Sequence, residues 1–494
     1  MTSAIHPTPT DRYPTATSTL QARTEHDIQA RLEAHKASPQ EHTPDGPVLQ
    51  RNAHLQFLLR NLVQGFPARY MSQDASQPWL FFWTLQGFSV LSVGLDEQTR
   101  QRSINTIMAL QHPLGGFGGG PGQSPHLLPT YASVCALAIV GRNGDNGGWD
   151  QIDRKKMYDL FMSLKQPDGS FLVSHHGEVD VRGIYCLLTV ATLLDILTPE
   201  LVAGTPEFIA SCQTYEGGFG SASFPDWALA NDGQIQDASA PRPPLGEAHG
   251  GYTFCAAASW ILLQPYVKTY YPAKGLPTPT INYAGLLRWL TQMQGLEIEL
   301  GGFKGRTNKL VDGCYSWWVG GCVALVEGFL GIGKSAEGEG DDGADGEHAW
   351  ADVDDSLFSR KALQEYVLIA GQHSAGGLVD KPPKPADAYH TLYCLSGLSA
   401  AQHHVVPSDD RRADLLKAWQ DPTDSSGDLA AQVRKLAFVD TLCWKEDEGT
   451  AKYFGGATNR VNATHLLTNL TATHAEGMMA HFYNQTLPRK GAKA

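Results

Sequence analysis

Three side chains of this sequence are of the kinds that hold a catalytic metal ion. Asp312 and Cys314 stand two residues apart in the string LVDGCY, and His390 lies in DAYHTLYC. A carboxylate, a thiolate and an imidazole would fill three positions around zinc and leave the fourth open, which is typical of catalytic zinc sites. A structural site needs four ligands, commonly including a C-x2-C pair, and the sequence contains no such pair.

These residues also have simpler explanations. An aspartate two residues before a cysteine is common when the aspartate caps a helix and the cysteine enters the core. His390 is compatible with a hydrogen-bonded core histidine, and it could pair instead with Cys394, four residues further along one helix face. Arg306 and Lys309 lie three residues apart on one side of a turn or helix, and this spacing alone favours a solvated basic pair.

A repeated unit, a glycine-rich turn followed by an apolar helix, positions these residues. The units begin at Gly115, Asp168, Gly217, Gly301 and Gly376, with a weaker sixth copy from Gly455. Helix, turn and helix in succession, with almost no period-two alternation, predict an all-α fold. Six such hairpins can close into an α–α barrel, a six-hairpin toroid with the turns at one rim, and the alternative is an open solenoid. Closure would gather Asp312, Cys314 and His390 in one cavity, which favours this set over one containing Cys394.

The domain boundaries follow from composition. Residues 1–50 are rich in Pro, Thr and polar residues and predict a partly disordered arm, within which Gln21–His35 could form a polar helix. The barrel is expected over residues 51–486, with surface insertions at 224–245, 334–352 and 403–447. The second insertion is acidic and of low complexity, and residues 487–494 are expected to form a flexible tail.

Charge and hydropathy exclude several classes of function. The formal net charge of −13 does not suit a nucleic-acid backbone, although it would suit a basic partner or simply a solvated acidic surface. The first residues show no signal peptide, and the longest apolar runs fall short of the roughly 20 residues that cross a bilayer. The eight scattered cysteines are expected to be thiols in a reducing compartment. We therefore expect a cytoplasmic protein with no transmembrane segment and no nucleic-acid partner.

Four longer strings carry a family resemblance. EAHGGYTFC, GGFKGRTNKLVDGCYSWW, GGLVDKP and YHTLYCLSGLS resemble the β subunits of protein farnesyltransferases, and the similarity runs from about Asn52 to Tyr483 apart from the insertions. The resemblance implies an obligate heterodimer with a helical-repeat α subunit and one zinc ion on Asp312, Cys314 and His390. It also implies transfer of farnesyl from farnesyl diphosphate to the cysteine of a C-terminal CaaX sequence, in proteins such as small GTPases.

The resemblance also assigns the remaining site residues. The implied catalytic residues are Asp312, Cys314, His390 and Tyr315. Diphosphate contacts are implied for His249, Gly250, Gly251, Arg306, Lys309 and Tyr315, with Mg2+ bound by Asp380. The isoprenoid is expected against Trp79, Tyr131, Arg182, Tyr185, Tyr252, Cys255, Trp318 and Tyr393. The CaaX peptide is expected against Trp79, Trp83, His126, Leu128, Pro129 and Tyr389. The chain departs from the family pattern at Thr307, Trp317 and Ala388, and because Ala388 neighbours His390, its effect on peptide selectivity is left open.

Four other functions remain open at this point. A type I geranylgeranyltransferase β subunit performs the same chemistry with a longer lipid, but the resemblance implies that the bulky Trp79 in PWLFFW closes the lipid tunnel and favours the shorter farnesyl chain. A triterpene cyclase would need a D-x-D-D acid motif, which we do not expect in this sequence. A glycan-cleaving toroid would use paired carboxylates, to which Arg306, Lys309 and a thiol ligand are poorly suited. The non-enzymatic alternative is a helical repeat scaffold without metal.

Overall fold

The computed structural model describes residues 6–9, 13–37, 42–43, 46–223, 245–332, 356–420 and 428–488. The insertions predicted at 224–245 and 334–352 therefore lie outside the described residues, apart from Leu245, and only two residues of the predicted tail are described.

Six helices of the described chain form an inner ring. They are α3 (Gln77–Val90), α5 (Leu127–Val140), α7 (Val181–Leu193), α10 (Gly250–Leu262), α13 (Cys322–Leu330), which continues a π-helical turn (Ser316–Gly321), and α15 (Ala388–Gln402). Their sequences are apolar on every side, and in α5 every residue except Leu128 is buried. Each inner helix packs against the next, and α15 returns to α3. The ring is therefore closed, as the toroid predicts and the open solenoid does not.

Six further helices surround this ring. They are α2 (Arg51–Gln64), α4 (Glu97–Met108), α6 (Arg154–Leu164), α9 (Thr205–Ser211), α12 (Tyr283–Thr291) and α14 (Arg360–Glu365), which ends in a π-helical turn (Tyr366–Gly371). The glycine turns lead from outer to inner helix and pack on the start of the following outer helix. A Cβ on Gly115, at φ +100°, would lie 2.2 Å from the Lys156 carbonyl oxygen, and a Cβ on Gly376 would lie 2.1 Å from that of Ala53. Only glycine allows this approach.

The sixth hairpin is not the one predicted from Gly455. It consists of α2 and α3, joined by a 3-10 turn (Ala68–Ser76) that lacks a glycine pair. The Gly455 segment instead runs through a 3-10 turn (Ala457–Asn459), β5 (Thr464–His465), β6 (Leu470–Thr471) and α18 (Ala472–Phe482). It contacts the ring at the C-terminal ends of the inner helices and closes the end opposite the glycine turns. The prediction failed because a glycine pair before an apolar run looks the same whether or not an outer helix precedes it.

The polar segment predicted as a surface insertion at 403–447 is largely folded. It contains β3 (Val405–Pro407), α16 (Asp409–Ala418), α17 (Leu429–Leu442) and β4 (Trp444–Glu446), and the two strands pair antiparallel. Helix α17 packs on α11 (Gln264–Lys274) and near α8 (Pro199–Val202). Arg434 anchors it through two hydrogen bonds of 2.6 Å to the Asp195 carboxylate.

The N-terminal arm contains α1 (Ala16–Ala37), which includes the polar helix expected over Gln21–His35, and a short hairpin of β1 (His42–Thr43) and β2 (Gly46–Pro47). Among the described helices, none has both the length and the apolar character needed to span a bilayer.

Candidate active site

The residues at the start of the inner helices bring polar side chains to one rim of the ring. His126, Asp180, His249 and Asp387 cap α5, α7, α10 and α15, and each accepts a hydrogen bond from a backbone amide in the first turn. Asp312 makes the equivalent bond, since its Oδ1 accepts from the Cys314 amide at 2.9 Å. A helix needs such acceptors for its unpaired N-terminal amides. The repeat therefore places five polar side chains at equivalent positions around the cavity mouth.

The three predicted metal ligands lie together at this rim. The donor atoms of Asp312, Cys314 and His390 are all within 4.8 Å of one another. The loops that carry them are joined where the Gly313 amide donates to the Asp380 carbonyl oxygen at 2.6 Å. Cys394 is not part of this group, and its thiol lies 3.7 Å from the Val379 carbonyl oxygen. The geometry thus favours the set that the repeats predicted.

Asp387 orients the histidine ligand, although the sequence analysis did not single it out. Its Oδ2 lies 2.6 Å from His390 Nδ1 and accepts that proton. His390 Nε2 is then turned toward Asp312, whose Oδ1 is 3.4 Å away. A carboxylate that holds the far nitrogen of a histidine is typical of metal sites. The available signal was an aspartate at the helix N-cap, three residues before the histidine.

Burial and neighbouring charges shift the pKa values of all three residues in this cluster. Burial lowers the pKa of His390, but hydrogen bonds to the Asp312 and Asp387 carboxylates outweigh it and raise that pKa to about 10. Burial and the Asp312 anion raise the pKa of the Cys314 thiol well above its usual value. Burial would also raise the pKa of Asp312, but His390 holds it below the usual carboxyl range. One carboxylate oxygen, one sulfur and one imidazole nitrogen form a donor set that suits zinc.

Behind the rim lies an aromatic cavity of about 460 Å3, a volume within the usual range for small-molecule sites. All of the predicted isoprenoid residues line it, namely Trp79, Tyr131, Arg182, Tyr185, Tyr252, Cys255, Trp318 and Tyr393. Cys186 lines it as well and was not predicted. Of the predicted peptide residues, Trp83, Leu128 and Tyr389 also line the cavity.

Other predicted peptide positions lie elsewhere. Pro129 is buried within α5, and His126 is half-buried at its N-cap, so neither lines the cavity. Ala388 is fully buried, and its amide donates to Tyr70 Oη at 2.9 Å. The Ala388 side chain is therefore not available for direct contact with a peptide in the cavity.

The deep part of the cavity is a stack of rings whose polar atoms face away from it. The Trp79 ring lies 5.5 Å from that of Tyr131, which lies 5.4 Å from that of Tyr185. The Tyr131 hydroxyl donates to the Thr468 carbonyl and the Tyr185 hydroxyl to the Leu467 carbonyl, both at 3.0 Å. The C-terminal hairpin thus satisfies both phenols, so the cavity presents ring surface, which suits a hydrocarbon chain.

At the mouth, His249 and Tyr315 form a directed hydrogen-bond pair. His249 Nδ1 accepts from the Gly251 amide at 3.0 Å, so the neutral ring carries its proton on Nε2. Nε2 lies 3.0 Å from Tyr315 Oη and donates to it. Burial, with the positive charges of Arg306 and Arg182, lowers the pKa of His249 to about 4 and keeps the ring neutral. The Tyr315 O–H is then free to donate to an anion in the mouth.

The remaining predicted diphosphate residues flank this pair. Arg306 Nη1 lies 3.3 Å from Glu247 Oε2, and both side chains are partly exposed. The Gly250 amide donates to the Gly305 carbonyl at 2.7 Å, and the Gly251 amide is bound by His249. These two glycines therefore contribute space rather than free donors, since a Cβ on Gly250 would lie 3.0 Å from the Tyr315 ring.

Asp380, the predicted magnesium ligand, lies beside the metal cluster. Its carboxylate pairs with Lys381, and burial and the negative charge of Asp312 raise its pKa. The predicted Lys309 is half-buried on the loop between Arg306 and Asp312, outside the lining of the cavity.

Comparison with known proteins agrees with this geometry. The family model described as the prenyltransferase alpha-alpha toroid domain matches residues 49–470. A protein farnesyltransferase subunit beta from Saccharomyces cerevisiae is 38% identical over 74% of this chain and 72% of its own length. Another, from Pyricularia oryzae, is 37% identical over 77% of this chain and 69% of its own length.

The chain belongs to the protein farnesyltransferase β-subunit family. The geranylgeranyl transferase type-1 subunit beta of Arabidopsis thaliana is more distant, at 26% identity over 71% of this chain and 84% of its own. A solved structure of Candida albicans protein geranylgeranyltransferase-I complexed with GGPP shares the fold, with a TM-score of 0.55 and 19% identity. It covers 87% of this chain and 99% of its own.

One statement about the rival functions needs correction. A D-x-D-D string does occur, at residues 352–355, next to the predicted acidic insertion. It lies outside the described residues, and the caps of the described inner helices do not reproduce it. Because the farnesyltransferase relatives match the chain around the ring, this string gives no reason to prefer a cyclase.

Proposed function

We propose that this chain is the catalytic β subunit of a protein farnesyltransferase. It transfers farnesyl from farnesyl diphosphate to the cysteine thiol of a C-terminal CaaX sequence, in proteins such as small GTPases, as an obligate heterodimer with an α subunit. The observation that carries the proposal is that the cluster of Asp312, Cys314 and His390 adjoins the aromatic cavity, since Tyr315 and Tyr389, the chain neighbours of Cys314 and His390, line it. A nucleophile held at the cluster would lie near the head of a lipid held in the cavity.

Asp312, Cys314 and His390 would hold one zinc ion, with Asp387 fixing the imidazole. When bound, zinc would supply the positive charge that favours the thiolate form of the substrate cysteine, whose free pKa is about 8.5. The hydrogen bond between the partly buried His390 and Asp387 would keep Nε2 directed toward Asp312 and the ion rather than toward solvent. The two anionic residues of the cluster limit the net positive charge and so preserve the nucleophilicity of the thiolate.

The mouth residues would stabilise the leaving diphosphate. The Tyr315 O–H, oriented by His249, donates to an oxygen that gains negative charge as the carbon–oxygen bond breaks. Arg306 and Lys309 add positive charge on the neighbouring loop. Asp380 can approach a diphosphate only if a cation lies between them, because two anions otherwise repel. Its oxygens suit Mg2+, which would replace Lys381 as its partner.

The cavity would bind a lipid of fifteen carbons. Trp79 lies between the rings of Trp83 and Tyr131, at 5.8 and 5.5 Å, and occupies space that a longer chain needs. Trp83, Leu128 and Tyr389 would contact the CaaX peptide, with Pro129 acting only through the first turn of α5. All eight cysteines are buried and free, in keeping with a reducing compartment, and we place the enzyme in the cytoplasm.

The test is to co-express the chain with a candidate α subunit and measure zinc content and transfer to a CaaX peptide. We expect about one zinc per heterodimer and transfer of the C15 lipid in preference to the C20 lipid. Cys314→Ala should lose zinc and turnover while the heterodimer persists. Cys322→Ala, at a buried thiol outside the cluster, is the matched control and should keep both. Preference for the C20 lipid would favour a type I geranylgeranyltransferase. An unsubstituted protein that binds no zinc would favour the non-enzymatic helical repeat scaffold.

A further inference from the structure

Helix α1 packs tightly although it lies outside the segment that matches the family. The match begins at residue 49, whereas α1 spans Ala16–Ala37. Its inner face contacts two segments of the wall, the 3-10 turn Glu297–Glu299 and the π-helical turn Tyr366–Gly371. Ile28 is completely buried in this contact and Leu32 nearly so. These two segments precede the two loops that supply the metal ligands.

The first contact reaches the loop of Asp312 and Cys314. Gln21 Nε2 donates to Glu299 Oε1 at 2.7 Å, and Gln29 Nε2 donates to the Ile298 carbonyl at 2.8 Å. Glu299 is fully buried, and its Oε2 lies 3.4 Å from Lys304 Nζ. Lys304 pairs with Val311 at the base of the hairpin that carries Arg306 and Lys309, and Asp312 follows directly. The chain of contacts therefore runs from α1 through one buried carboxylate to the ligand loop.

The second contact reaches the loop of His390. Arg31 Nη1 donates to the Ala370 carbonyl at 2.8 Å and to the Gln372 carbonyl at 2.9 Å. These carbonyls end the last outer helix and begin the turn that leads to Asp380, Asp387 and His390. Helix α1 thus binds the bases of both loops from outside the ring.

We propose that α1 is a brace that fixes the two ligand loops relative to each other and thereby sets the zinc affinity of the cluster. A three-ligand site drawn from two loops holds a metal well only if both loops keep their positions to about 0.5 Å. Glu299 transmits the position of α1, because a buried carboxylate that loses one partner leaves its remaining contacts to rearrange. The inference rests on the zinc site of the proposed function.

The test uses the full chain with its α subunit. Ile28→Asp would place a charge at a fully buried position and detach α1, whereas Ala30→Asp places the same charge on the exposed face of the same helix. Zinc dissociation constants are measured by competition with a chelator, and hydrogen exchange of residues 16–37 reports whether α1 has detached. We expect at least about a tenfold weaker zinc affinity for Ile28→Asp, the size of effect seen when outer contacts of metal sites are removed. Ala30→Asp and the conservative Ile28→Val should match the parent.

A second pair of variants covers the case in which Ile28→Asp does not fold. Arg31→Ala removes both carbonyl contacts at the His390 loop, whereas Arg23→Ala removes an exposed arginine of the same helix. Arg31→Ala should weaken zinc binding, and Arg23→Ala should not. Equal zinc affinities in this pair, or parent-like affinity in a detached Ile28→Asp variant, would overturn the brace even if the melting temperature fell. A parent enzyme that binds no zinc would overturn the proposed function instead.

Discussion

Replacing Asp387 separates two roles that one carboxylate performs. Oδ1 caps α15 by accepting from the His390 amide at 2.8 Å, and Oδ2 accepts the Nδ1 proton of the same residue at 2.6 Å. In Asp387→Asn the amide oxygen can still cap the helix, but the amide nitrogen then faces Nδ1. Because both would be donors, the imidazole must move its proton to Nε2, the atom that should bind zinc. Asp387→Ala removes the cap and the proton acceptor together.

The two effects have different sizes. Loss of an N-cap side chain costs about 1 kcal/mol of folding free energy, whereas asparagine caps about as well as aspartate. Loss of the partner that orients a ligand histidine weakens metal binding by about 10- to 100-fold, or about 1.4–2.8 kcal/mol. We therefore expect Asp387→Asn to keep most of the stability of the metal-free protein and to lose zinc affinity. Asp387→Ala should lose both.

The assay combines chelator competition for zinc with thermal unfolding of the metal-free heterodimer. Asp153, which caps α6 by accepting from the Lys156 amide at 3.0 Å, supplies the control, because it lies on an outer helix. Asp153→Ala should lower the melting temperature without changing zinc affinity, and Asp153→Asn should change neither. If Asp387→Asn binds zinc as tightly as the parent, Asp387 only caps the helix and the orientation argument is wrong.

Three further predictions follow from the same structure. Trp79→Thr should raise the ratio of kcat/KM for the C20 lipid over the C15 lipid, because it removes a ring that packs on Tyr131, and an unchanged ratio in a zinc-loaded variant would contradict this. Asp380→Lys should make turnover nearly independent of added magnesium, since a fixed positive charge replaces the ion, and a magnesium titration checks it. Burial lowers the pKa of His465 to about 4, so the unfolded chain takes up a proton near pH 6.5 that the folded chain does not. The stability due to the neutral ring is therefore present above pH 6.5 and lost as the pH falls toward 4, and His465→Gln should make the fall in melting temperature over that range smaller, while His54 and His474, whose pKa values burial also lowers to about 4, maintain the rest.

Much of the fold was predictable because it is local and repeated. Apolar helices without a polar face predict inner helices, and glycine pairs predict close turns, so a series of helical hairpins follows from a pattern of about 50 residues. The ligand set was predictable for the same reason, since Asp312 occupies a cap position and His390 lies in the first turn after the cap Asp387, and the repeat brings both to one rim. The role of Asp387 could also have been predicted, because Asp387 is the N-cap of the helix that carries His390.

Other features depended on contacts between distant parts of the chain. The sixth hairpin has no glycine pair, and its identity rests on α15 packing against α3. The hydroxyls of Tyr131 and Tyr185 are satisfied by carbonyls more than 280 residues away, which no local pattern encodes. Likewise the sequence of α1 predicts only a polar helix. Its hydrogen bonds to Glu299 and to the carbonyls after Tyr366 are visible only in the tertiary structure.

The sequence by itself therefore determined the repeated hairpins, the common rim of their turns and the kinds of atoms that gather there, whereas closure of the ring depended on the packing of α15 against α3. Periodicity and capping act within one or two helical turns, so both depend on residues that are close together in the sequence. Only the tertiary structure decided which protons those atoms carry. The neutral state of His249, the free O–H of Tyr315 and the direction of His390 Nε2 depend on burial and on partners from other segments. Electrostatic energies change with distance and solvent exposure, and neither quantity exists until the chain has folded.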